Sequence, residues 1–132
     1  MKKFNSVLLI DDDEINNYII SRLFKRLNLT EEITIFRNGE EGLNFIRSIS
    51  KNKIPEIILL DINMPIMTGL EFLEALKELA LNSLVVKIII ISNSVHPNEI
   101  GLLKNLGVCE IVLKPITEEK LMVCLNAGRP FK

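Results

Sequence analysis

Four short runs of Val, Ile and Leu each stop at a polar or charged residue. They are Val7-Leu8-Leu9-Ile10 before Asp11-Asp12-Asp13, Ile57-Ile58-Leu59-Leu60 before Asp61, Ile88-Ile89-Ile90-Ile91 before Ser92, and Ile111-Val112-Leu113 before Lys114. Continuous apolar runs of this length suit strands covered on both faces, which is the condition of a parallel sheet flanked by helices. Between the runs, apolar residues recur at helical spacing. The chain therefore reads as five βα units, with strands near 6–10, 32–36, 56–60, 86–91 and 109–113. In an open α/β sheet the carboxyl ends of the strands form one rim, outside which ligands bind. Carboxylates, a hydroxyl and an ammonium are expected to converge there.

Ile15, Ile19, Leu23 and Leu27 lie four apart and predict the core face of a first helix, with Arg22, Lys25 and Arg26 in solvent. Similar faces are expected at Leu43 and Ile46, at Leu70, Leu73 and Leu76, at Ile100 and Leu103, and at Leu121 and Leu125. Pro97 suits a first helical turn, and Thr117 with Glu118 and Glu119 marks a helix start. The 132 residues, 48% of them hydrophobic, suit one packed domain over 1–128 with a short frayed tail at 129–132 and no output domain. A net charge of −1 lacks the basic footprint of a nucleic-acid-binding domain. The apolar run ending at Ile10 is too short for a signal-peptide core or a membrane span, so a cytoplasmic location is expected. Cys109 and Cys124 form no CxxC pair and have only His96 as a nitrogen ligand, so both read as buried small hydrophobes.

A carboxylate can attack a phosphoryl group and form an aspartyl phosphate if the charge gathering on the phosphoryl oxygens is offset. Asp61 stands alone at a strand end and is the candidate nucleophile. Asp11 to Asp13 form a cluster suited to Mg²⁺, which takes oxygen ligands and is usually held by one or two carboxylates plus phosphate oxygens. Asp12 and Asp61 can supply those carboxylates. Lys114 offers a fixed positive charge and Ser92 a hydrogen-bond donor. Taken singly, each has a plainer reading: Asp11 to Asp13 as a helix cap, Ser92-Asn93-Ser94 as loop chemistry, Lys114 as a solvated charge. His96 reads as a loop histidine, and Met64 and Met67 as packing within their loop.

Together, Val7 to Asp13, the motif Asp61-Ile62-Asn63-Met64-Pro65-Ile66-Met67-Thr68-Gly69, Ser92 and Lys114-Pro115 resemble the bacterial response regulator receiver domain over nearly the whole chain. The resemblance implies a flavodoxin-like (βα)5 fold with strand order 2-1-3-4-5. It implies Asp61 as the acceptor of a phosphoryl group from a sensor histidine kinase or phosphotransfer protein. Asp12 would be a direct Mg²⁺ ligand, Asp11 would act through a water, and Asn63 would lend its backbone carbonyl. Ser92 and Lys114 would contact the phosphoryl group, and the bond to Pro115 is expected to be cis.

Activation in the family shifts a population toward a state with a rearranged surface of the fourth helix, fifth strand and fifth helix, read by a downstream protein. Ile111 stands where an aromatic often switches rotamer, which questions the usual readout. Asn93 is bulkier than the Ala, Ser or Gly often found there and is expected to slow small phosphodonors. Thr68 replaces a frequent Asp. Homodimerisation through the last two helices fits family behaviour, and no residue decides it. Two other readings remain. Asp11 and Asp13 satisfy the DxD spacing of haloacid dehalogenase phosphatases, and a pseudo-receiver would keep the fold without phosphorylation, although such proteins usually lose a key residue that is present here.

Overall fold

The computed structural model describes residues 4–79 and 86–126. The expected tail at 129–132 lies outside the described residues. The elements run β1 (Phe4–Ile10), α1 (Glu14–Arg26), β2 (Thr30–Phe36), α2 (Gly39–Ser48), a single 3-10 turn, β3 (Ile57–Leu60), α3 (Gly69–Glu78), β4 (Lys87–Ser92), α4 (Pro97–Asn105), β5 (Val108–Leu113) and α5 (Glu118–Asn126). All strand pairs are parallel, in the order β2-β1-β3-β4-β5. The expected flavodoxin-like fold is therefore present.

Side chains alternate across a strand, so each apolar run feeds both faces of the sheet. Leu8, Ile10, Ile58, Leu60, Ile88 and Ile90 face α2, α3 and α4 through Leu43, Ile46, Phe72, Leu73 and Leu103. Val7, Leu9, Ile57, Leu59, Ile89 and Ile91 face α1 and α5 through Ile20, Phe24, Leu121 and Leu125. Two cores thus share one sheet, and together they fix the five strand ends on a single rim.

The helical faces were partly misread from spacing. In α1 the buried residues are Asn16, Asn17, Ile20, Leu23 and Phe24, while Ile15 is 74% and Ile19 41% exposed. The packed face is instead the stripe of Ile20, Leu23 and Phe24 with Leu27 against it, and Asn16 and Asn17 join it through hydrogen bonds beneath the rim. Ile100 is likewise surface-facing, and Leu103 alone of its pair is buried. Arg22, Lys25 and Arg26 are exposed as expected. Cys124 is buried, and burial pushes its thiol up to about 11, which keeps it protonated and inert. Cys109 is only half-buried. The β4–β5 register passes from Ile88↔Val108 to Ile89↔Glu110, leaving Cys109 as the extra residue of a bulge.

Helix starts follow capping chemistry. Asp13, Asn38 and Thr68 each accept an N–H of the following turn, at α1, α2 and α3 respectively. Thr117 accepts the N–H of Lys120. Pro97 opens α4 as expected, and His96 is its cap, Nδ1 accepting the N–H of Asn98 at 3.2 Å. No helix among the described residues is long and apolar enough to cross a membrane.

Candidate functional site

Neighbouring strands set the acidic residues side by side. Asp11 extends the β1–β2 ladder, its N–H donating to Phe36 O at 3.1 Å, and Asp61 extends β1–β3, its N–H donating to Ile10 O at 3.0 Å. On the far side of β4 the Lys114 N–H donates to Ser92 O at 2.8 Å. The Lys114 ammonium then reaches back across the rim. It lies 2.9 Å from Asp11 Oδ2, 3.5 Å from Asp61 Oδ2 and 3.6 Å from Asp13 Oδ2, with its side chain only 6% exposed. One carboxylate oxygen each from Asp11, Asp12 and Asp61 lies within 4.8 Å of the others.

The electrostatics follow from that crowding. Burial, and then the charge of Asp11, push the Asp61 carboxyl up to about 6, against the opposing pull of Lys114. Burial opposes the charge on Lys114 too, but the Asp11, Asp61 and Asp13 carboxylates outweigh it and hold its pKa above the ordinary lysine value. Three mutually close carboxylates with one ammonium leave excess negative charge. An all-oxygen set of this kind fits a hard divalent cation, which relieves the repulsion. Asn63 follows two residues beyond Asp61 and directs its N–H at Asp61 Oδ1, 3.4 Å away.

The loop after Asp61 folds back on the strand that carries it. The Gly69 N–H donates to Ile62 O at 2.8 Å, and a Cβ at Gly69 would stand 2.7 Å from Asp61 O and 2.8 Å from Ile62 Cα. Glycine is required there by close approach. Thr68 caps α3 in a reciprocal box with Glu71. Met64 is in the core and Met67 packs against it.

Ile66, 73% exposed, adopts φ 70, a left-handed conformation costly for a β-branched residue. Such strain is worth about 1–3 kcal/mol. Asn enters this region more readily, and little packing would be lost. An Ile66→Asn variant is therefore expected to gain about 1 kcal/mol in urea unfolding; equal or lower stability would show that the loop is unstrained.

The other expected site residues are placed as follows. Ser92 is fully buried at its strand end, but its hydroxyl donates to Ser94 O at 3.0 Å rather than toward the carboxylates. Asn93 is exposed beside it. Ile111 is partly buried against the core beneath α4. The Lys114–Pro115 bond is cis. Asp13 serves as the α1 cap, and Asp11 accepts from Asn16, from the Asp13 N–H and from Lys114. That leaves neither as an unengaged nucleophile of a DxD pair.

Two residues at the site were missed. The Asn16 amide donates to Asp11 Oδ2 at 3.0 Å and the Asn17 amide to Asp11 O at 2.8 Å, both buried. Consecutive asparagines, which are weak helix formers, in the first turns of a helix were the available signal.

A family profile described as the response regulator receiver domain matches residues 7–126. The nitrate/nitrite response regulator protein NarL of Escherichia coli K12 is 32% identical over 124 residues, 92% of this chain and 53% of that protein. The probable C4-dicarboxylate response regulator DctR of Bacillus subtilis is 27% identical over 126 residues, 96% of this chain and 53% of that protein. The chain thus spans about half the length of these curated relatives. Among solved structures, the chemotaxis response regulator CheY4 of Vibrio cholerae superposes with a TM-score of 0.79 at 23% identity, covering 94% of this chain and 98% of that one, a likeness of fold. A LuxR-family DNA-binding response regulator from Staphylococcus aureus superposes with a TM-score of 0.78 at 26% identity, covering 96% and 99%.

Proposed function

The chain belongs to the response regulator receiver family of two-component systems, and from that premise we propose that Asp61 accepts a phosphoryl group from the phosphohistidine of a sensor kinase or phosphotransfer protein. The observation that carries this reading is the Lys114 ammonium spanning Asp11 and Asp61 at the rim. It supplies a fixed positive charge beside the one carboxylate at the end of β3.

A carboxylate oxygen of Asp61 attacks phosphorus in line with the departing imidazole. The P–N bond breaks as the O–P bond forms, and the imidazole nitrogen keeps the electron pair and takes a proton. Asp11, Asp12, Asp61 and the Asn63 backbone carbonyl would hold Mg²⁺, which would supply positive charge against the crowded carboxylates and the phosphoryl group. Lys114 exchanges its contact with Asp61 for a phosphoryl oxygen. Ser92 rotates its hydroxyl from Ser94 O to another, which releases the 93–96 loop that leads into α4.

That release supports a shift of the α4–β5–α5 surface as the output, read by a downstream protein. Ile111 has no ring to swing, so the readout is assigned to α4 and its leading loop rather than to a rotamer switch in β5. A gain of one phosphoryl mass on incubation with acetyl phosphate and Mg²⁺, absent with EDTA, tests the reading. No adduct from small donors or from a panel of phosphorylated kinases would establish a pseudo-receiver.

Asn93 is exposed next to Ser92, and its bulk there is the basis for proposing that it slows a small donor. An Asn93→Ala variant is expected to react severalfold faster with acetyl phosphate. An unchanged rate would remove Asn93 as an obstacle.

A further inference from the structure

We infer that Asn16 is a positioning residue for the acidic pair: its amide fixes the rotation of the Asp11 carboxylate so that Asp11 meets Lys114 on one oxygen and leaves room for a divalent cation. The inference rests on the proposed cation site and extends it to a residue outside the metal-binding carboxylates.

Asn16 is 5% exposed on the buried face of α1, among Ile20, Leu23 and Phe24. Burying an amide is costly unless its hydrogen bonds are met. Among the described residues the Asn16 side chain donates to Asp11 Oδ2, the same oxygen that receives Lys114 at 2.9 Å. The other oxygen, Oδ1, accepts the Asp13 N–H at 3.0 Å. Asn17, 6% exposed, holds the Asp11 main chain through its carbonyl. The residue is thus fixed at both carboxylate oxygens and at the backbone, and Asn16 is the donor that shares an oxygen with Lys114. Without that donor the carboxylate can turn, and Lys114 redistributes between Asp11 and Asp61, which it now holds at unequal distances of 2.9 and 3.5 Å. Residues that orient a metal-binding group typically change metal affinity about 10- to 100-fold when replaced.

On α1, Asn16 and Asn17 share the buried face with Ile20, Leu23 and Phe24, while Ile15 and Ile19 lie outside it and are exposed.

The test is Mn²⁺ binding, read from the EPR signal of free ion, with thermal unfolding of the metal-free protein measured in parallel. Wild type is measured first. If it binds no Mn²⁺, the cation site itself is wrong and this inference falls with it. With binding established, Asn16→Leu, which keeps the volume and removes the amide, is expected to bind about 10-fold or more weakly. Its melting temperature should fall by no more than a few degrees, because Asp11 Oδ2 loses one donor but keeps Lys114. Asn16→Gln, which keeps an amide donor, is expected to recover part of the affinity. Unchanged affinity in Asn16→Leu overturns the inference while leaving the cation site standing. An equal loss in Asn16→Gln and Asn16→Leu overturns it too, because shape rather than the donor would then be responsible. If the melting temperature of Asn16→Leu falls further, the ratio between the Gln and Leu affinities decides in the same way.

Discussion

An Asp61→Asn variant is expected to take up no phosphoryl group from acetyl phosphate or phosphoramidate in intact-mass measurements, and, without divalent cation, to be more stable than wild type. The first effect removes the attacking oxygen. The second follows from the site's electrostatics. Burial and Asp11 lift the Asp61 carboxyl from 3.8 to about 6. A group that binds its proton more tightly when folded contributes most stability at low pH and loses it as pH rises from the unfolded value toward the folded one. The folded protein therefore bears the cost of an ionised Asp61 above about pH 6. The rise is worth at most about 3 kcal/mol, and water reaching the rim reduces it to about 1 kcal/mol. A neutral amide of the same shape escapes that cost, so at pH 7.5 with EDTA the variant should melt about 3–8 °C higher. The gap should narrow below pH 4, where the wild-type carboxyl is protonated in both states, and again with saturating Mg²⁺. A phosphorylated variant would move the acceptor elsewhere, to Asp12 or Asp13. A variant that melts at or below wild type in EDTA would show that burial and Asp11 do not penalise the ionised Asp61.

The strands and the rim were legible because one short-range property determines them. A run such as Ile57 to Leu60 is apolar on both faces, and all four residues are buried between the two helical layers. Asp11, Asp61, Ser92 and Lys114 follow by continuation, since the residue after each strand must emerge at its carboxyl end. Strand order needed the family resemblance, because alternation of strands and helices is the same for several orders. What spacing could not give was the rotation of α1. The four-apart stripe of Ile15, Ile19 and Leu23 runs beside the exposed Arg22 and Arg26, whereas the packed face is Ile20, Leu23 and Phe24, which Asn16 and Asn17 join because their partner is Asp11. Hydrophobic periodicity assigns polar residues to solvent and has no way to represent an amide whose bonds are met inside. The Ser92 hydroxyl escaped for a related reason: a rotor's partner, here the Ser94 carbonyl, is chosen by loop geometry.

Gly69→Ala is expected to be the most damaging single-methyl change near the site, lowering both stability and phosphorylation. Its Cβ would meet Asp61 O at 2.7 Å, Ile62 Cα at 2.8 Å and the Asp61 carbonyl carbon at 3.3 Å, all main-chain atoms. At Gly42 the nearest atom is the flexible Ile10 Cδ1, which can rotate aside. At Gly69 only the α3 start or the Asp61 backbone can yield, and the two are tied by the Gly69 N–H to Ile62 O bond. Overpacking typically costs about 1–3 kcal/mol, and main-chain contacts at a strand-to-helix joint place this change toward the upper end. Because the displaced backbone carries the nucleophile, the phosphorylation rate should fall by about 10- to 100-fold, as misplacement by an ångström can cost. Gly101→Ala is the control, since nothing lies within 4 Å of its Cβ and it sits inside α4. There alanine should stabilise the helix by up to about 1 kcal/mol. Urea unfolding and acetyl phosphate kinetics on the pair separate the effects: a Gly69→Ala protein that matches Gly101→Ala in both would mean that the loop does not close on the Asp61 main chain.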